Sequence, residues 1–164
     1  MRPLLVGELN PHGIDPRFAL YPLPEGSTGH RLCTKVMGLA RGAYLRAFDR
    51  ANLCTGRWSM REARDRARLI DAERTAAPEV PIVLFGRKVC EAFGVWEEPF
   101  TIARRYRPAA LGVLGDQRAG QVARTYVVLP HPSGRCRAWN DPSAFARARR
   151  VLADAGALQP RELP

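Results

Sequence analysis

Three short, almost uninterrupted apolar runs constrain this chain more than any other feature. They are Pro3 to Gly7 (PLLVG), Val80 to Phe85 (VPIVLF) and Arg124 to Leu129 (RTYVVL). Runs this short with little polar alternation suit strands buried on both faces. A fourth, weaker strand is expected over residues 48–53 (FDRANL). Helical patterns fill the gaps. Residues 31–47 carry apolar side chains at helical spacing, weakened in the middle by Gly38 and Gly42. Ser59-Met60-Arg61-Glu62 is a capping-box pattern. Beyond it Met60, Ala63, Ala67 and Ile70 repeat along one helix face, and Pro78 ends the segment. A short helix follows Gly86 and stops near Gly94. Asp141-Pro142 places an N-cap and an N1 proline before a last helix that runs to about Gly156. Residues 95–123 show no legible element. Strands alternating with helices predict an α/β fold, a three-layer α/β/α sandwich around a central, mostly parallel four-stranded sheet.

The chain has 164 residues, which suits one domain over 1–164 with a core over about 3–156. No apolar run approaches ~18 residues, so no membrane helix is expected. The N-terminal MRPLLVGELN lacks a signal-peptide pattern, which predicts a cytoplasmic protein. The net charge is +10, and 24 of the 26 basic residues are Arg, the exceptions being Lys35 and Lys88. Codon bias accounts for Arg over Lys but not for the excess over 16 acids. That excess points to a polyanionic partner, nucleic acid above all. Cys33, Cys54, Cys90 and Cys136 are separated by 21, 36 and 46 residues. The spacing contains no zinc signature and fits reduced thiols, so neither metal nor cofactor is expected.

Two loops carry the chemistry. Gly7-Glu8-Leu9-Asn10-Pro11-His12-Gly13 follows the first strand, and Leu129-Pro130-His131-Pro132-Ser133-Gly134-Arg135 follows the last. In a parallel sheet both lie at the carboxyl rim, where ligands bind. One offers an amide able to hold a water, the other an imidazole with small residues whose backbone can approach a phosphate.

This pair, in this order, resembles the uracil-DNA glycosylase superfamily. The first loop is similar to the water-activating motif written GQDPY, GxNPG or GEAPG in different branches, and the second to the leaving-group motif written HPS or NPSG. PIVLFGRKVCEAFG (81–94) is similar to the strand, Gly and short helix that precede the second motif. FDRANLCTGRW (48–58) and ALYPLPEGSTGHRL (19–32) resemble the base-reading strand and the aromatic-x-x-Pro stretch. The first loop has one residue more between Gly7 and Asn10 than GxNPG, so Asn10 or Glu8 is the water-facing group, and Asn10 is preferred because its Asn-Pro matches the mismatch-directed and single-strand-selective branches. The cysteines do not match the iron–sulfur branches.

The resemblance implies a monofunctional DNA glycosylase, a hydrolase that everts a base and cuts its N-glycosidic bond to leave an abasic site. Tyr21 would stack on the everted base and Asn52 would read its edge. Neutral His131 would donate to the base O2 as charge builds there, and Asn10 or Glu8 would hold the water. Ser133 and Gly134 would lie against a phosphate. Arg135, with Trp139 as the alternative, would wedge into the vacated space, or Arg135 and Arg137 would pair with phosphates. Arg57, Arg61, Arg64, Arg68, Arg104, Arg105 and Arg107 are further candidates for the DNA flank. No Lys lies in either motif, which argues against a Schiff-base step. His12 stands where one branch has a Tyr that excludes C5 substituents, so the pocket would admit uracil or a modified pyrimidine. A bulky 5-substituted cytosine of phage DNA would make the enzyme defensive rather than a repair enzyme. DNA is the expected partner, with no membrane, no obligate protein partner and a monomeric state. The alternative is a non-catalytic nucleic-acid-binding module on the same fold.

Overall fold

The apolar runs form the middle of a sheet. A computed structural model describes residues 1–10, 15–108 and 121–158, leaving out the side chains of residues 10, 106–108, 121 and 122. The strands are β1 (Leu4–Asn10), β2 (Asp49–Thr55), β3 (Ile82–Phe85), β4 (Thr101–Pro108) and β5 (Gln121–Leu129), in the spatial order β2-β1-β3-β5-β4. β1 pairs in parallel with β2 and β3, β3 pairs in parallel with β5, and β4 runs antiparallel to β5. Leu5, Val6, Ile82 to Phe85 and Val127 have no accessible surface, as strands covered on both faces require.

Helices cover the two faces. Thr28–Arg31 (α1) runs into a π-helical stretch, Leu32–Met37, and α2 spans Arg41–Ala47. With α5 (Ala144–Asp154) they pack Leu32, Val36, Tyr44 and Leu152 against Leu5, Val83, Phe85, Val127 and Leu129. On the other face α3 (Met60–Glu73) and α4 (Arg87–Ala92) set Ala63, Ala67, Ile70 and Val89 against Leu4, Val6, Ile82, Leu84 and Val128. The C-terminal end of α3 is tied to the sheet. Buried Arg124 on β5 donates to the carbonyls of Arg74 (2.7 Å) and Asp71 (3.1 Å), and the Tyr126 hydroxyl donates to Asp71 Oδ1 (2.7 Å). The same carbonyls also accept the Thr75 hydroxyl (Asp71, 3.1 Å) and the Ala77 N–H (Arg74, 3.2 Å), so the guanidinium joins the turn after α3 in closing the helix end.

The sequence expectation needs four corrections. The sheet has five strands rather than four, because β4 arises within the unread stretch 95–123. Its alternation is that of an edge: Ala103 is buried while Ile102 and Arg104 face outward. β1 continues past Gly7 through the pairs Leu9↔Cys54 and Asn10↔Thr55, so Glu8 and Asn10 belong to the strand. The helix expected over 31–47 is broken after Met37. The last helix starts after Asp141-Pro142: the Asp141 carboxylate accepts the Ser143 N–H and hydroxyl, each at 2.8 Å, and shapes the turn before α5. The capping pattern at Ser59 does start α3, with Ser59 Oγ accepting the Glu62 N–H at 3.4 Å. Among the described residues no helix is long and apolar enough to cross a membrane.

Candidate active site

β1, β3 and β5 are parallel, so their carboxyl ends share one rim. Gly86 joins two of them there, donating its N–H to the Leu129 carbonyl at 2.9 Å. Its φ is +89°, a conformation L side chains rarely adopt, and a Cβ there would lie 3.1 Å from the His131 Cβ. The glycine therefore lets the imidazole seat directly on the β3–α4 turn.

His131 is held by its own loop. Nδ1 accepts the Ser133 N–H at 3.2 Å, which assigns the proton of the neutral ring to Nε2. Burial lowers the His131 pKa from the ordinary 6.5; the Glu8 carboxylate pulls it up, and the Lys88 ammonium adds to the lowering. The loop backbone is fastened at two further points. Trp139 Nε1 donates to the His131 carbonyl (2.9 Å), and Arg31 Nε donates to the Pro132 carbonyl (3.2 Å). Trp139 is thus not a wedge toward DNA. It is buried, stacked on Phe145 (5.3 Å) and edge-on to Phe100 (5.6 Å), where its ring is out of water and its N–H has an acceptor.

Beside the imidazole lies a cavity of about 270 Å³, lined among others by Glu8, Leu20, Tyr21, Thr28, Asn52 and His131. Four separate segments meet in it. Asn52 sits on β2 opposite Gly7 of β1. A Cβ at Gly7 would collide with Asn52 Oδ1, so the amide lies where that side chain would be. Both Oδ1 and Nδ2 are buried and have no hydrogen-bond partner among the described residues. Each such group costs about 1–3 kcal/mol, so this amide is placed for something other than stability.

Tyr21 forms another wall. The Phe18 ring meets it edge-on at 5.6 Å, and the Arg50 guanidinium lies 5.9 Å from its centroid and 5.8 Å from that of Tyr44. Arg50 Nε and Nη1 are buried with no hydrogen-bond acceptor among the described residues, and the guanidinium lies beside the two rings at cation–π distance. Tyr44 donates to the Leu20 carbonyl at 3.0 Å and fixes Leu20 at a φ of +47°. Burial raises the Tyr44 pKa above its usual value, so the hydroxyl stays a donor. Glu8 completes the ring of polar groups, with Oε2 3.5 Å from Lys88 Nζ, and Lys88 rests 5.4 Å from the centroid of Trp58.

The chain matches no protein-family model, and no curated protein matches it.

Two larger depressions adjoin this cavity. One of about 820 Å³ follows the outer edge of β2 past Arg50, Arg61, Glu62 and Asp65. One of about 550 Å³ lies on the α4 side of His131, beside Cys90, Trp96 and Leu129. The smallest of the three is the candidate site, because it joins an imidazole, a carboxylate, an aromatic face and an unpartnered amide.

Of the residues expected from sequence, Glu8, Tyr21, Asn52 and His131 converge here. His12 and the Asn10 side chain lie outside the described residues. Ser133 is half-buried; Gly134, Arg135 and Arg137 are exposed on the His131 loop. Arg64 and Arg68 pair with Glu91 and Asp65, and Arg105 with Glu97. Arg57, Arg61 and Arg104 are exposed, and the side chain of Arg107 lies outside the described residues. Cys33, Cys54 and Cys90 are buried thiols, and burial pushes Cys90 up to about 11. Sequence reading missed Arg31, Arg50 and Lys88. Lys88 alone had a local signal, an amine directly after the strand–Gly turn of VPIVLFGRK.

Proposed function

We propose that the chain is a DNA glycosylase on a uracil-DNA glycosylase-like scaffold, which hydrolyses the N-glycosidic bond of an everted pyrimidine. One observation carries this: an imidazole, a carboxylate, a tyrosine ring and a buried, unpartnered amide line one small cavity at the carboxyl rim. The everted base lies against Tyr21, with stacking worth roughly 1–3 kcal/mol per base. The Asn52 amide reads the edge. Because neither of its atoms has a hydrogen-bond partner among the described residues, a half-turn of the amide suits a uracil-type or a cytosine-type edge. Both uracil and a modified cytosine therefore stand as substrates.

In the reaction, the bond from the base nitrogen to C1′ breaks and its electron pair stays on the base. His131 Nε2–H donates to the base O2, where that charge collects; a preorganised donor of this kind is worth ~10²–10³ in rate. Water adds to C1′, and its proton passes to Glu8 and then to the departing base or solvent. Glu8 is the carboxylate beside His131 and is assigned the water here. Arg135, Arg137 and the backbone of Ser133 and Gly134 face the phosphates from the exposed loop.

The test is a panel of labelled oligonucleotides containing U:G, U:A, single-stranded U, hypoxanthine and 5-substituted cytosines including the glucosylated form, followed by alkali. Alkali-labile breaks are expected with wild type on at least one pyrimidine, and a loss of ~10²–10³ in His131→Ala. Tight binding with no base released from any substrate would leave the non-catalytic module as the better account.

A further inference from the structure

We propose that Arg31 is a phosphate anchor: its guanidinium grips a backbone phosphate of the bound strand over Gly134, on the loop that carries His131. The DNA is that of the glycosylase proposal; the residue and its role are additional to it.

Three observations converge on Arg31. The first is a fixed orientation. Arg31 closes α1, whose Thr28 and Gly29 line the cavity, and its Nε donates to the Pro132 carbonyl at 3.2 Å. That bond uses the single Nε donor and sets the plane of the fork, leaving the donors on Nη1 and Nη2 over. A guanidinium held this way is pre-organised for two oxygens of a phosphate.

The second observation is charge. Arg2, Arg64, Arg74 and Arg105 are each paired with a carboxylate, whereas among the described residues no carboxylate pairs with Arg31. Arg31 is nonetheless half-buried. A cation drawn partly out of water without a counter-ion is a place made for an anion.

The third observation is an open space beside that cation. Gly134 is exposed, and a Cβ there would lie 3.7 Å from Arg31 Nη1 and 3.9 Å from Cζ, meeting nothing else among the described residues but its chain neighbours. The turn is closed by the Cys136 N–H on the Ser133 carbonyl at 3.2 Å, a bond that uses neither the Gly134 nor the Arg135 N–H. A phosphate over this glycine is within reach of main-chain donors and of the guanidinium together, and its contacts with the fork are charge-assisted bonds of ~2.7–2.9 Å. Arg31 does not reach the reacting atoms. It is a binding and positioning residue, placed so that the strand is gripped at the loop from which the imidazole acts.

The test is the salt dependence of DNA binding, read on a labelled duplex that holds a stable tetrahydrofuran abasic site, so that no base need be released. Anisotropy titrations of the full-length chain run from about 50 to 200 mM salt. Arg31→Gln should weaken binding about tenfold at the lowest salt. It should also reduce the slope of log K against log salt by about 0.9, the loss of one phosphate contact. Arg31→Lys keeps the charge and should keep the slope. Trp139→Phe loosens the same loop without removing a charge and should leave the slope at its wild-type value. A wild-type slope in Arg31→Gln, or an equal fall in Trp139→Phe or Arg31→Lys, overturns the proposal, as does a wild type that fails to bind the duplex. The expected slopes, beside an oligonucleotide panel that releases no base, would count against the excision reading alone.

Discussion

Gly7→Ala tests whether Asn52 is held in place by an absent side chain. Gly7 pairs with Asn52 of β2, and Val6 just before it pairs with Leu84 of β3, so its main chain has little freedom to shift. An added methyl would overlap Asn52 Oδ1 and sit 2.9 Å from Leu20 Cδ2. The Leu20 backbone is fastened by the Tyr44 hydroxyl at 3.0 Å, leaving only the end of its side chain to turn aside. Asn52 must therefore swing out of the cavity. Overpacking of this kind costs about 1–3 kcal/mol, while Ala for Gly returns up to about 1 kcal/mol through the unfolded chain. The net loss is about 0–2.6 kcal/mol, or a fall in Tm of up to roughly 10 °C for a chain of this size. Excision should fall more than stability, by at least about tenfold, a transition-state loss of ~1.4 kcal/mol. Thermal denaturation and single-turnover excision read the two effects. In an Asn52→Ala background only the Leu20 contact is left, so Gly7→Ala should cost less than in wild type. An equal fall in Tm in both backgrounds would refute the reasoning, as would a Gly7→Ala variant with wild-type excision.

Arg124→Met removes the guanidinium's bonds to the Arg74 and Asp71 carbonyls and should cost about 1.5–3 kcal/mol in urea unfolding without changing excision kinetics. Trp139→Phe keeps the stacked ring but loses the 2.9 Å bond to the His131 carbonyl; stability should fall by about 1 kcal/mol, with a lower kcat as the imidazole loosens. Because burial lowers the His131 pKa, the unfolded chain binds the proton more readily. Stability from this group is therefore full above the ordinary 6.5 and lost as pH falls below it, and the acid limb of excision should also lie below 6.5. Its absence from the stability profile of His131→Gln is the check. Arg50→Met should weaken excision in wild type yet do little in a Tyr21→Leu background, as kcat/KM in a double-mutant cycle would show, if its guanidinium acts through the Tyr21 ring.

Much of this fold is written locally. VPIVLF and RTYVVL are apolar enough to be interior strands wherever they fall, and Ser59 with Glu62 starts a helix from four consecutive residues. That is why the alternation, the parallel centre and the placing of Glu8 and His131 at one rim could be read before any coordinates. Tyr21 and Asn52 were placed by likeness to a motif family, and their meeting with Glu8 and His131 is a matter of packing. What stayed hidden depends on neighbours distant in sequence. TIARRYRP becomes a strand because β5 offers it a free edge, and its arginines are tolerable only at that edge. Trp139 looks like a surface wedge until Phe145 and Phe100 are seen to enclose it. Arg50 is one arginine among 24 until two tyrosine rings close around it. Lys88 lies eighty residues from Glu8 along the chain, and only the parallel pairing of β1 with β3 brings its amine to the carboxylate. Periodicity and capping are properties of a few adjacent residues, so the sequence alone determined them; side-chain convergence needs the sheet first, so tertiary structure decided the site.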